Sequence, residues 1–276
     1  MSEQERPVLE VRGLTISTQD GRGLVHDLSF RLDAGERLAL IGESGSGKSL
    51  TSLAIMGLLP DGVVAGGSVR LGMTQLIGAS ERTLNRVRGR AAGIVFQEPL
   101  SALDPLAPLG RQLAEPIARQ AKREGRRLSR AETRAAVSAA LAEVALRDPE
   151  RIARAFPHEV SGGQRQRVAI AMALAGKPEL LIADEPTTAL DVTVQAEVLE
   201  LLDRVTAERG TAVLFVSHDL AVVARIASRA LVLRGGRVVE SGDVASLIER
   251  PAHDYTRRLV GAARELDDAL GSGGAR

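Results

Sequence analysis

The octapeptide "GESGSGKS", residues 42–49, constrains this chain more than any other stretch. Four apolar residues, Leu38–Ile41, precede it. A helical apolar pattern follows it in Leu50, Leu53, Ala54, Gly57 and Leu58, and Pro60 ends the run. Buried strand, glycine-rich turn and helix start, in that order, are the context in which G-x-x-x-x-G-K-[ST] has a mechanism. Its glycines let the backbone N–H groups of residues 45–50 turn towards one point, where the positive end of the helix adds to them. The pattern predicts a cradle for the phosphates of a nucleotide, built from Gly42, Glu43, Ser44, Gly45, Ser46, Gly47, Lys48, Ser49 and Leu50. Lys48 is expected at the β- and γ-phosphates and the Ser49 hydroxyl on Mg²⁺.

The rest of the chain supplies a body for such a loop. "LALI" (38–41), "GIVF" (93–96), "LLIA" (180–183) and "AVLFV" (212–216) are apolar throughout rather than alternating, as strands buried on both faces are. Each is followed at once by polar residues, which places the chemistry at the carboxyl ends of a parallel sheet. "VLEVRGLTIS" and "LVHDLSFRLD" alternate and predict an antiparallel region, and "VLRGGRVVE" (232–240) predicts a hairpin around its Gly-Gly pair. Between Gln97 and Ser161 the texture becomes helical and charged: Ser129 and Glu132 form a capping box, with Val137, Leu141 and Val144 on one face behind it. The fold class that results is α/β, a mostly parallel sheet core with an antiparallel β region and a helical insertion. The Gly/Ser-rich end, after about residue 262, is expected to fray.

Composition narrows the function classes. A formal charge of +1 argues against a general nucleic-acid binder. Zero cysteines exclude disulfides and thiolate-held metals. The opening residues lack the apolar stretch of a signal peptide, and no apolar run approaches the length of a membrane span, so a relation to a membrane is expected to pass through a partner.

Further residues carry chemistry. In "LLIADEP" (180–186) two carboxylates stand side by side at a strand end. Asp184 can hold Mg²⁺ and leaves Glu185 to polarise an attacking water, since a carboxylate that neutralises a metal is a poor base. Gln97, after "GIVF", can meet Mg²⁺ or that water, although by itself it reads as an ordinary loop residue. His218, after "AVLFVS", can hydrogen-bond a γ-phosphate or serve the structure alone, and Asp191 has a weaker claim still. Ser161, Gly162, Gly163 and Gln164 open a helix with an N–H-rich turn that suits an anion, or is a capped helix start and nothing more.

Taken in order, Gly42–Ser49, Gln97, "VSGGQ", "LLIADEP", "ALD" and His218 resemble the motif series of the ATP-binding-cassette (ABC) ATPases, over about residues 8–250. The resemblance implies a head-to-tail dimer in which each ATP lies between the loop 42–49 of one subunit and Ser161–Gln164 of the other. It implies Glu185 as catalytic base, His218 on the γ-phosphate, Gln97 as the link from Mg²⁺ to the helical part, and Asp191 in a loop that senses the opposite site. It also implies a catalytic body of residues 1–97 and 161–250, a helical subdomain of residues 98–160 and a short tail of residues 251–276.

"IMGLLPDGV", "IVFQEPLSALDPL", "DEPTTALDVTVQAEVLELL" and "PAHDYTRRLV" are similar to the oligopeptide, dipeptide and nickel importer branch. That implies an ATPase subunit on the cytoplasmic side of a bacterial inner membrane, paired with itself or a sister ATPase. Two permease subunits and, indirectly, an external solute-binding protein complete the assembly. Peptide, nickel and other small solutes stay open, as does a cassette ATPase acting on ribosomes or nucleic acid, for which the basic stretch 118–134 is the one pointer. Three departures stand out: no aromatic near Thr18 to stack on adenine, Val160 where the family has Leu, and Asp254 where the branch has Pro.

Overall fold

The computed structural model describes residues 6–188 and 190–273, the last ten as backbone alone. Ala189 of the "ALD" stretch, the first five residues and residues 274–276 of the glycine-rich tail lie outside the described residues. The chain forms two compact units, Met1–Gly78 with Leu214–Arg276, and Ala79–Val213.

In the first unit, β1 (Leu9–Thr18), β2 (Gly23–Leu32), β4 (Val63–Leu71) and β5 (Thr74–Gln75) make an antiparallel sheet in the order β2-β1-β4-β5. The buried residues of β1 are Leu9, Val11, Leu14 and Ile16, so the alternation slips by one residue between Val11 and Leu14. β2 slips likewise, burying Val25 and then Leu28, Phe30 and Leu32. The pairing shifts at those places, Val11 facing Phe30 and Leu14 facing Leu28. Bulges absorb the extra residues and keep these buried side chains on one face. Each contributes about 1.5–3 kcal/mol by burial, which fixes the register.

The same unit contains β3 (Arg37–Ile41), β9 (Arg229–Arg234), β10 (Arg237–Asp243) and β8 (Ala212–Ser217) from Leu214 onwards, in the order β10-β9-β3-β8. β9 and β10 form the hairpin expected from the Gly-Gly pair, and β9 also pairs in parallel with β3, Leu38 facing Arg229 and Ile41 facing Val232. Helix α1 (Lys48–Met56) departs from its expected face and end. Thr51, Ser52, Ala54, Ile55 and Met56 are buried, Leu58 is exposed, and Gly57 caps the helix in the left-handed region before Pro60 is reached. The tight turn leaving β3 sets the helix's rotation, and a small polar face packs inward. α8 (Leu220–Ile226), α9 (Val244–Glu249) and α10 (Asp254–Gly273) complete the unit; α10 continues as helix through the stretch expected to fray.

The second unit holds α2 (Glu81–Val87), β6 (Ala92–Val95), α3 (Leu109–Arg123), α4 (Arg130–Glu143), α5 (Pro149–Arg154), α6 (Gly162–Leu174), β7 (Leu180–Asp184) and α7 (Val192–Arg209). β6 and β7 pair in parallel, Ala92 facing Leu180 and Val95 facing Ala183. Ser129 and Glu132 close the expected capping box on α4, and Val137, Leu141 and Val144 are buried behind it. Arg167 ties three helices together: its guanidinium donates to Val144 O at the end of α4 (3.1 Å) and to Glu197 of α7 (2.6 Å). That brace holds α6 at a defined rotation. Among the described residues no helix is long and apolar enough to cross a membrane.

Candidate functional site: a phosphate cradle and a carboxylate edge

The first unit carries the loop. Ile41 ends β3, and Lys48 begins α1 six residues after Gly42, so the chain must reverse within one turn. Gly42 is the pivot: a Cβ there would lie 2.3 Å from Leu233 O on β9 and 2.7 Å from Ser46 Oγ. Lys48, only 4% exposed, folds back and donates from Nζ to Gly42 O (2.6 Å) and Glu43 O (2.9 Å). The two carbonyls hold the Lys48 side chain beside the N-terminus of α1. Inside the loop the buried Ser46 hydroxyl has no hydrogen-bond partner among the described residues. An unpartnered buried hydroxyl, a lysine side chain fixed in place and a helix N-terminus converge, and this set fits the phosphates of a nucleotide. Ser49 is exposed in the first turn of α1. His218 is exposed in the same unit, just past β8, and Asp219 beside it caps α8 through the N–H groups of Ala221 (2.9 Å) and Val222 (3.3 Å).

The second unit carries the acidic edge. Asp184 is the last residue of β7 and 6% exposed, and Glu185 follows in the left-handed region at φ 47°. A non-glycine residue there costs on the order of 1–3 kcal/mol, a strain that the packing of β7 must sustain. It turns consecutive carboxylates apart, and Glu185 accepts a hydrogen bond from the Thr188 hydroxyl at 3.0 Å. The residues past β6 and β7 meet the start of α6 around a cavity of about 330 Å³, lined among others by Gln97, Gly162, Arg165, Gln166, Pro186 and Leu190. So Gln97 and the Ser-Gly-Gly turn, 64 residues apart by subtraction of 97 from 161, share one hollow.

Ser161 and Gln164 spend their side chains on the helix itself. Ser161 Oγ accepts from Gln164 N (3.3 Å), and Gln164 Oε1 accepts from Ser161 N (3.1 Å). This box leaves the glycine amides at the helix N-terminus to face an anion. Gly163 lies so close to α7 that a Cβ would stand 2.6 Å from Val194 Cγ1. Asp191 caps α7, accepting from Val194 N at 2.9 Å, so the loop it belongs to and the start of α6 are built against each other.

Sequence reasoning passed over Gln166, 1% exposed, whose Nε2 finds no partner among the described residues while it lines the same hollow. It carries no local signal, since Gln164, Arg165 and Arg167 surround it in the polar first half of α6. Among the described residues no group of three or more His, Asp or Glu could hold a metal ion by itself. Asp184 and the exposed Ser49 hydroxyl are each an oxygen donor of the kind Mg²⁺ takes alongside substrate phosphates.

The chain is 48% identical over 269 residues to the oligopeptide transport ATP-binding protein OppD of Mycobacterium tuberculosis, a match covering 96% of this chain and 43% of that protein. The chain thus spans less than half the length of that relative. A putative peptide import ATP-binding protein of Brucella ovis is 46% identical, with 98% of this chain and 80% of that protein covered. Among solved structures, the dimeric post-hydrolysis state of the ATP-binding cassette MJ0796, bound to ADP and Pi, superposes with a TM-score of 0.74 at 28% identity, covering 86% of this chain and 98% of that one. The α/β fold is therefore that of an ABC cassette. The ABC transporter family profile matches residues 25–188, and the chain belongs to the ABC transporter family.

Proposed function

We propose that the chain is the ATP-hydrolysing subunit of a bacterial ABC importer, acting at the cytoplasmic face of the membrane in a pair of ATPase subunits beneath two permease subunits. Names of relatives, oligopeptide transport and peptide import, support a di- or oligopeptide as the solute, delivered by a separate binding protein. The dimeric state of a solved cassette supports pairing of two subunits. The observation that carries the reading is the clasp of Lys48 on the carbonyls of Gly42 and Glu43, which fixes a cation at the mouth of a helix N-terminus.

In this reading the loop amides and Lys48 hold the triphosphate. Ser49, Asp184 and Gln97 are this chain's ligands for Mg²⁺, which when bound offsets the charge of the β- and γ-phosphates. Glu185 takes a proton from the attacking water, and His218 donates to the γ-phosphate. The amides at Ser161–Gln164 serve the partner subunit's ATP. Contacts made to the γ-phosphate by both subunits exist only in the closed pair, so ATP favours closure and hydrolysis releases it. Residues 98–160 pass that motion to the permease, residues 1–97 and 161–250 form the catalytic body, and residues 251–276 form the tail.

The test is a comparison of two variants by calorimetric ATP titration and phosphate release. Lys48→Ala is expected to lose affinity; Glu185→Gln is expected to keep it and lose about 10²–10⁴ in turnover. Unchanged affinity in the first would refute the cradle, and undiminished hydrolysis in the second would refute the base.

A further inference from the structure

The segment 251–260 carries chemistry that the proposed cycle does not use, and the structure connects it to the phosphate cradle. Tyr255, in the first turn of α10, is 1% exposed. Its phenol oxygen accepts a hydrogen bond from the backbone N–H of Glu43 at 2.8 Å, across 212 residues of sequence. The same peptide unit, Gly42–Glu43, presents its carbonyl to Lys48 Nζ at 2.6 Å. In a trans peptide the C=O and N–H point in opposite directions. The peptide plane is thus gripped from both sides, by the ammonium of Lys48 and the hydroxyl of Tyr255, and rotating it would break both contacts at once.

The grip is itself anchored. Glu240 on β10 accepts from the N–H groups of Ala252 (2.8 Å) and His253 (3.0 Å). His253 Nδ1 accepts from Tyr255 N at 3.1 Å, and Arg257 donates to Pro251 O (3.0 Å) and Ala252 O (2.8 Å). The guanidinium carbons of Arg234 and Arg258 stand 5.3 and 6.0 Å from the centre of the tyrosine ring, which fixes its plane. Burial holds the phenol above its usual pKa, so the hydroxyl stays neutral.

We infer that Tyr255 is a positioning residue for the nucleotide site: its hydroxyl locks the Gly42–Glu43 peptide so that Gly42 O faces Lys48 and the loop is shaped before the phosphates arrive. This rests on the nucleotide reading of the loop. A role confined to packing would need only the ring, and Tyr255→Phe separates the two because it keeps the ring and removes the oxygen.

Two measurements on the full chain test it. Without ligand, Tyr255→Phe is expected to speed amide hydrogen exchange across residues 42–47 several-fold while the β9 core, Arg229–Arg234, exchanges as in the wild type. With ligand, its ATP affinity is expected to fall about 2- to 10-fold, as the loss of one net hydrogen bond allows. Tyr255→Leu, which also removes the ring, is expected to lower the thermal midpoint as well. Unchanged exchange at residues 42–47, an equal rise in β9, or wild-type ATP affinity in Tyr255→Phe would each overturn the inference. Failure of the wild-type chain to bind ATP would instead strike the nucleotide reading, while the ligand-free exchange would still decide whether the hydroxyl locks the loop.

Discussion

Two alanines in one loop separate space from backbone conformation. At Gly42 the backbone is not in the left-handed region, so the objection to a side chain is room alone: its Cβ would meet Leu233 O at 2.3 Å and Ser46 Oγ at 2.7 Å. Ser46 can rotate away, but Leu233 O belongs to the backbone of β9, and relief needs the loop or the strand to move by most of an ångström. Overpacking of this kind costs about 1–3 kcal/mol and sits at the upper end where backbone must shift. At Gly45 the case is reversed. φ is +78° and nothing lies within 4 Å of the Cβ, so Gly45→Ala meets only the left-handed cost for an L-residue, about 1 kcal/mol. Urea unfolding of the ligand-free proteins, followed by far-UV circular dichroism, should therefore place Gly42→Ala about 2 kcal/mol below Gly45→Ala, with similar slopes. Equal destabilisation of the two, or the reverse order, would refute the assignment of room to one glycine and of φ to the other.

Two more expectations rest on single contacts. Arg167→Met removes the buried donor to Val144 O and should cost about 2 kcal/mol in the same assay, whereas Glu197→Gln, whose side chain is 58% exposed, should cost under about 1 kcal/mol; a larger loss at Glu197 would mean that the ion pair is the brace. Burial alone would raise the pKa of Glu240, but the Thr256 side chain, together with the N–H groups of Ala252 and His253, outweighs it and holds the carboxyl below its ordinary value. That stabilisation is complete above about pH 4.3 and is lost as pH falls through the lower folded pKa, so the protection of Ala252–Tyr255 against hydrogen exchange, taken relative to the intrinsic rate at each pH, should fall there in the wild type and lose this pH dependence in Glu240→Gln. An identical acid profile in both proteins would count against it.

What the sequence revealed is what neighbouring residues decide together. The apolar runs 38–41, 180–183 and 212–216 are buried strands because an uninterrupted apolar run has no solvent face, while in 93–96 the strand ends at Val95 and Ile94 and Phe96 are half-buried. Ser129 with Glu132 is a capping box because both partners lie within one turn of helix. The glycine and lysine spacing of the loop announced its fold for the same reason. Legibility fails where a distant segment decides. Which face of α1 is buried depends on the rotation set by the turn out of β3, so the leucines that periodicity chose are not the core. Ser161–Gln164 reads either as an anion-holding turn or as a capped helix start, and the capping box formed by its side chains is compatible with both, because it leaves the glycine amides out. The meeting of Gln97 with Gly162 around one hollow has no local signature at all.

The Gly-Gly pair at 235–236 shows how such distant decisions shape the cradle. As local sequence it is a hairpin turn, and it does join β9 to β10. Yet Gly236 N also donates to Ser46 O at 3.1 Å, and Gly236 O accepts from His26 N at 2.8 Å. A Cβ on Gly236 would stand 2.3 Å from Leu24 O, so the turn is wedged between the loop and β2 with no room for a larger residue. The loop is therefore held at Gly42 by β9, at the Gly42–Glu43 peptide by Tyr255 and Lys48, and at Ser46 by the hairpin turn. Every one of these contacts lies within one unit. A loop fixed at so many points gives up little further conformational freedom on meeting an anion, and donors arranged beforehand stabilise charge without reorganising. The antiparallel sheet and the C-terminal strap, which carry no catalytic group, earn their place in the fold by keeping the cradle in that state.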